Sequence, residues 1–148
     1  MQFKTAIIIP ARYGSTRFPG KPLARIAGVT MLDRVVRLAR KATAGSEDIQ
    51  ILVATDDDRI ASHCKEIGVY YVMTPESCPT GSDRALAALQ QLNEWPDYVI
   101  NLQADAPFTP PAVLRAMIDA FGVHRRPEVV TPVHRLRWAE LDALREAK

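Results

Sequence analysis

The chain has 148 residues, 47% of them hydrophobic and 24% charged, with a formal net charge of +2. That balance suits one globular domain with a real core and excludes a disordered tail. The small net charge gives no case for nucleic-acid binding, and no apolar run approaches the roughly 18 residues of a membrane span. The apolar run within residues 1–9 is followed by Pro10, Arg12 and Arg17, where a signal peptide would place small cleavage-site residues, so a cytoplasmic location is expected. Cys64 and Cys78 form no C-x-x-C or Cys/His pattern and read as free thiols. His63, His124 and His134 are scattered and read as packing or surface residues.

Taken in chain order, apolar runs alternate with helix-period segments. Phe3–Ile9 predicts a buried strand, and Thr30–Lys41 a helix with Met31, Leu32, Val35, Val36, Leu38 and Ala39 inward. Ile49–Ala54 predicts a strand rich in β-branched residues. Asp57–Ile67 predicts a helix with an acidic first turn, capped by Asp56 and Asp57 and stopped by Gly68. Val69–Met73 reads as a strand, Ser82–Asn93 as a helix with Ser82 at its N-cap, and Tyr98–Leu102 as a strand. Pro111–Phe121 reads as a helix carrying proline at its first position. Glu128–Val133 is expected to add a fifth strand, and Trp138–Ala147 begins an amphipathic helix presenting Trp138, Leu141, Leu144 and Arg145. That last helix reads as unfinished at the chain end, as if a further segment or another subunit should cover it.

This alternation implies an α/β domain with a mostly parallel sheet, helices on both faces and right-handed crossovers. In such sheets ligands bind outside the carboxyl ends of the strands. The loops at that edge are Pro10–Pro22, Thr55–Asp58, Thr74–Gly81 and Gln103–Pro110.

The first of these loops, I-P-A-R-Y-G-S-T-R-F-P-G-K-P-L, is punctuated by Gly14 and Gly20 and carries Arg12, Arg17 and Lys21, with Arg25 just beyond. It lacks the G-x-G-x-x-G dinucleotide pattern. It also fails the Walker pattern, because five residues separate the glycines and Pro22 replaces the metal-binding hydroxyl. What remains suits phosphate: glycines that let backbone amides approach, an arginine able to fork onto phosphate oxygens, and a compact lysine charge.

This loop resembles the N-terminal signature of the 3-deoxy-manno-octulosonate cytidylyltransferases, and more loosely that of the acylneuraminate cytidylyltransferases. Val53–Asp56 (VATD), Met73–Arg84 (MTPESCPTGSDR) and Asn101–Pro107 (NLQADAP) match further family segments in order. The sequence departs from the family at Cys78, which replaces a histidine, and at Ala104 and Ala106, which replace Gly and Glu of Q-G-D-E-P.

The resemblance implies a three-layer, Rossmann-like nucleotidyltransferase fold that transfers CMP from CTP to the anomeric hydroxyl of an acidic sugar and releases pyrophosphate. It implies Arg12, Lys21 and Asp105 as catalytic residues. Ala11, Arg12, Gly14, Ser15, Lys21, Thr74, Thr80, Gly81 and Gln103 would bind CTP, and Asp105 would hold Mg²⁺. Residues 1–148 would then be the nucleotide-binding part, with the sugar-binding and dimerisation portions lying outside the chain and the complete enzyme a homodimer. Two other readings fit the residues: a cytidylyltransferase for another acidic sugar, and a non-catalytic nucleotide-binding domain of the same fold.

Overall fold

A computed structural model describes residues 4–14, 18–122 and 127–147. Ser15, Arg17, Phe3 and His124 lie outside the described residues. Contacts divide the chain into Met1–Arg115, which holds the sheet, and Ala116–Lys148.

The first unit is built on four parallel strands in the order β5-β4-β1-β6: β1 (Thr5–Ala11), β4 (Ile49–Thr55), β5 (Tyr70–Met73) and β6 (Tyr98–Asn101). The Ile7-Ile8-Ile9 run makes β1 the centre, because a strand covered on both faces needs apolar residues at consecutive positions. Every residue of β1 is buried. One face packs Ala6, Ile8, Leu52 and Ala54 against Ala85, Ala88 and Leu89 of helix α3 (Gly81–Leu89). Strand alternation sends Ile7, Ile9 and Val53 to the opposite face. Helices α1 (Met31–Ala42) and α2 (Asp58–Glu66) both touch β4 and bury Leu32, Val35, Val36 and Ile60.

Helix starts follow side-chain caps. Thr30 caps α1, accepting from Asp33 N at 3.1 Å, and its hydroxyl also meets His63 Nε2 at 2.7 Å. Asp57 caps α2 through Arg59 N at 2.9 Å. Asp56 takes no part in that cap. For α3 the cap is Thr80 and not the expected Ser82. Thr80 Oγ1 accepts from Asp83 N, and Asp83 Oδ2 accepts from Thr80 N, both at 3.1 Å. The acidic side chain three residues after Thr80 decides this, since only that spacing closes a reciprocal capping box.

Two features depart from the sequence expectation. A two-rung antiparallel hairpin, β2 (Arg25–Ile26) and β3 (Val29–Thr30), turns through Ala27 and Gly28 at positive φ. Glu128–Val133 forms no strand; it carries three valines but pairs with no described strand, and a lone strand leaves its backbone groups unpaired. Helix α4 (Pro111–Ala120) starts on its proline as expected. In the second unit, α5 (Trp138–Glu146) buries none of its residues. Among the described residues no helix is long and apolar enough to cross a membrane.

Candidate active site

The site opens where β1 and β6 part. Their last register pair is Ile8↔Asn101, and Leu102 N still donates to Ile8 O at 2.9 Å. The next rung would need an amide from Pro10, which has none. Beyond it lies a cavity of about 230 Å³. Its walls are Pro10–Arg12 from the end of β1, Lys21 and Pro22 from a 3₁₀ turn, Cys78–Gly81 and Arg84 from the start of α3, and Gln103–Asp105 after β6. This is the carboxyl edge at which open α/β sheets take ligands.

The loop leaving β1 is shaped by Tyr13 and Gly20. Gly20 has φ 70°, and a Cβ there would sit 2.9 Å from the Tyr13 ring. Its amide donates to Tyr13 O at 2.8 Å, which closes the loop. Gly14 is different: it is exposed, lies outside the positive-φ region, and a Cβ would meet nothing within 4 Å. Its expected conformational role is therefore not seen, and it lies off the cavity wall. Arg12 is exposed and pairs with none of the described residues. Lys21 Nζ donates to Asp105 Oδ2 at 2.6 Å, so two sequence-predicted residues 84 positions apart meet across the cavity.

On the β6 side a relay of amides fixes Gln103. Asn101 Nδ2 donates to Ser82 Oγ at 3.1 Å, and Gln103 Nε2 donates to Asn101 Oδ1 at 3.0 Å. The remaining oxygen of Gln103 turns toward Gly81, where a Cβ would lie 3.3 Å from Oε1 and 3.2 Å from Pro10 Cγ. Gly81 keeps this corner of the cavity open.

Sequence reasoning missed the wall behind it. Arg84, only 2% exposed, donates to Thr74 Oγ1 at 2.6 Å and to Asp56 Oδ2 at 2.5 Å. Thr74 in turn donates to Thr55 O at 3.1 Å. An arginine on the same inward helix stripe as Ala85 and Ala88 was the available signal, because a buried guanidinium requires a carboxylate. Thr74, expected to contact CTP, is buried in this network and does not line the cavity.

Ala11, Arg12, Lys21, Thr80, Gly81, Gln103 and Asp105 all line the cavity, whereas Gly14 and Thr74 do not. Asp105 is the one carboxylate among the lining residues, and no cluster of three or more His, Cys, Asp or Glu occurs among the described residues. One carboxylate beside a basic loop still fits Mg²⁺, which commonly takes one or two protein carboxylates and completes its shell with phosphate oxygens and water.

A parallel sheet with a basic, glycine-shaped loop at its carboxyl edge defines an α/β domain of the nucleotidyltransferase type. The chain matches the family model for cytidylyltransferases over residues 6–141 and belongs to that family. It is 46% identical over 125 residues to the 3-deoxy-manno-octulosonate cytidylyltransferase of Maricaulis maris, covering 84% of this chain and 47% of that protein. Among solved structures it resembles CMP:2-keto-3-deoxy-manno-octonic acid synthetase complexed with CTP, at TM-score 0.71 and 34% identity. That match covers 80% of this chain and 47% of the other. A cytidylyltransferase from Leptospira borgpetersenii aligns at TM-score 0.66 and 26% identity, covering 84% of this chain and 51% of that one. The chain thus spans about half the length of the curated relatives it matches.

Proposed function

We propose that this chain is the CTP- and Mg²⁺-binding part of a cytoplasmic enzyme that transfers CMP to the anomeric hydroxyl of 3-deoxy-manno-octulosonate and releases pyrophosphate for lipopolysaccharide or surface-polysaccharide synthesis, and that it turns over little by itself. The observation that carries this reading is the meeting of Lys21, Asp105 and Gln103 around one cavity, in a chain resembling a structure complexed with CTP. Residues 1–148 supply the nucleotide-binding part, and sugar binding and dimerisation correspond to the relatives' remaining length.

In this reading the sugar hydroxyl attacks the α-phosphorus and loses its proton to solvent, the bond from the α-phosphorus to the bridging oxygen of the β-phosphate breaks, and pyrophosphate departs with that electron pair. Such transfers depend on positioning and charge neutralisation and need no protein nucleophile. Arg12 forks onto phosphate oxygens, and Lys21 offsets charge that grows on the departing pyrophosphate. Asp105 would hold the metal, which would supply further charge neutralisation on the phosphates. Gln103 donates one amide N–H to Asn101 and turns its carbonyl oxygen toward Gly81, which offers the cavity an acceptor. An acceptor suits the exocyclic amine of cytosine and is mismatched with the carbonyl oxygen of uracil.

The test is calorimetry with the four nucleoside triphosphates and Mg²⁺, followed by pyrophosphate release with a panel of acidic sugars, by this chain and by one extended to the relatives' full length. CTP preference with release on 3-deoxy-manno-octulosonate supports the reading; equal affinity for all four nucleotides removes the base assignment. Cys78 and Ala104 in the cavity wall, and Ala106 just beyond it, favour one second reading, a nucleotide-binding domain without turnover. CTP binding with no pyrophosphate release on any sugar, both by this chain and by the extended one, would establish it.

A further inference from the structure

The residue before Lys21 is held in place by a side chain from a different element. Tyr13 and Gly20 close on each other, ring against backbone. The ring's π face is covered by Arg59 from the first turn of α2, with the guanidinium carbon 3.2 Å from the ring centroid. Arg59 is itself fixed. Its Nε and Nη2 donate to Asp57 Oδ1 and Oδ2 at 2.9 and 2.6 Å. A two-pronged carboxylate contact fixes the plane of a guanidinium and leaves its flat faces for stacking. Asp57 also caps α2 through Arg59 N, so the assembly is anchored to the helix backbone.

At its other end the assembly reaches the cavity. Gly20 O accepts from Leu23 N at 2.9 Å, which opens the 3₁₀ turn Lys21–Leu23. The turn packs on both α1 and α2, and Pro22 is buried within it. Lys21 therefore leaves a backbone whose course is set by Gly20, and Gly20 is crowded by the ring that Arg59 holds. None of Asp57, Arg59 and Tyr13 lines the cavity.

We infer that Arg59 and Tyr13 are positioning residues for nucleotide binding: the stacked pair holds the loop so that Lys21 is presented to the triphosphate. The inference rests on the reading that this cavity binds CTP. A solvent-exposed packing contact with no such task is the competing account, and the two differ in whether the effect passes through Lys21. A cation–π contact is worth about 0.5–2 kcal/mol, so its loss should weaken binding by about twofold to thirtyfold and no more.

The experiment is Mg²⁺–CTP calorimetry on the 148-residue chain with Arg59→Met, Arg59→Lys, Tyr13→Leu, Tyr13→Phe, Lys21→Met and the double variant Arg59→Met/Lys21→Met. Arg59→Met and Tyr13→Leu should each fall in that range, with thermal midpoints close to wild type. Tyr13→Phe should keep full affinity because it keeps the ring, and Arg59→Lys should fall between. In the Lys21→Met background, Arg59→Met should cost nothing further. Wild-type affinity in both Arg59→Met and Tyr13→Leu, or the same loss with and without Lys21, overturns the inference. If Arg59→Met fails to fold, Tyr13→Leu decides alone, since it leaves the Asp57–Arg59 pair and α2 intact. A wild-type chain that binds no CTP removes instead the reading beneath it.

Discussion

Lys21 and Asp105, 84 positions apart in sequence, share an ion pair of 2.6 Å at the mouth of the cavity. Both side chains are more than a third exposed, so their mutual attraction contributes little to stability. Breaking the pair for a ligand is correspondingly easy. Lys21→Ala and Arg12→Ala should each weaken Mg²⁺–CTP binding by about 1.5–3 kcal/mol, the range for hydrogen bonds to charged groups. Arg25→Ala should cost far less, because Arg25 donates to Gly28 O in the hairpin and does not line the cavity. Calorimetry of the three variants checks this; an Arg25 effect equal to that of Lys21 would show general electrostatics in place of a shaped site.

Asp105→Asn should fold normally and lose the Mg²⁺ dependence of CTP binding. The amide keeps the size but not the charge that a hard cation requires. Titrating CTP with and without Mg²⁺ reads the outcome, and an unchanged metal dependence would refute the role.

Gly81→Ala should shrink the cavity at the corner between Pro10 and Gln103, where the new methyl group meets atoms at 3.2 and 3.3 Å. Overpacking of this kind costs about 1–3 kcal/mol. The loss should appear in thermal stability, because the buried Pro10 ring cannot give way, and also in CTP affinity, because the methyl group fills a corner of the cavity. A stability loss with unchanged affinity would count against the cavity as the CTP site.

Arg84→Met should destabilise the fold by about 3–5 kcal/mol, since it leaves Asp56 desolvated and unpaired. The pair is nearly enclosed, with side chains 3% and 12% exposed. Arg84→Met combined with Asp56→Leu should cost less than Arg84→Met alone, and urea unfolding of both variants measures the difference.

The two thiols should behave oppositely. Cys78 lines the cavity and should be alkylated in the native chain, with CTP protecting it. Cys64 is enclosed in α2, and burial pushes its thiol up to about 12 from 9.0. Its folded pKa is raised, so the stability it contributes is complete below pH 9 and is lost as pH rises toward 12. Mass spectrometry of alkylated protein at pH 8 should find Cys78 modified and Cys64 untouched. Equal labelling would contradict the burial of Cys64.

Much of this was legible in the residues. The consecutive isoleucines of β1 announced a buried strand, and the placement of Lys21 and Asp105 after predicted strands put them at one edge. Pairings that depend on tertiary proximity were not legible. Nothing local joins Arg84 to Asp56, or Arg59 to Tyr13, until the sheet order brings their loops together. The expected strand at Glu128–Val133 failed for a related reason. A β-branched composition describes what a strand would look like, whereas a strand exists only beside another whose amides are free to meet it.

That same dependence gives Pro10 an unexpected weight. Ile8 and Pro10 point their backbone groups toward the same neighbour, because successive residues of a strand alternate sides. Ile8 uses that side to accept from Leu102 N, and Pro10 has no hydrogen to continue the pattern toward Leu102 O. Any other residue at position 10 would bring an amide, and β1 and β6 would be free to zip together by one more rung. The mouth of the crevice is thus kept from sealing by a single missing hydrogen, on the backbone of one residue of its wall.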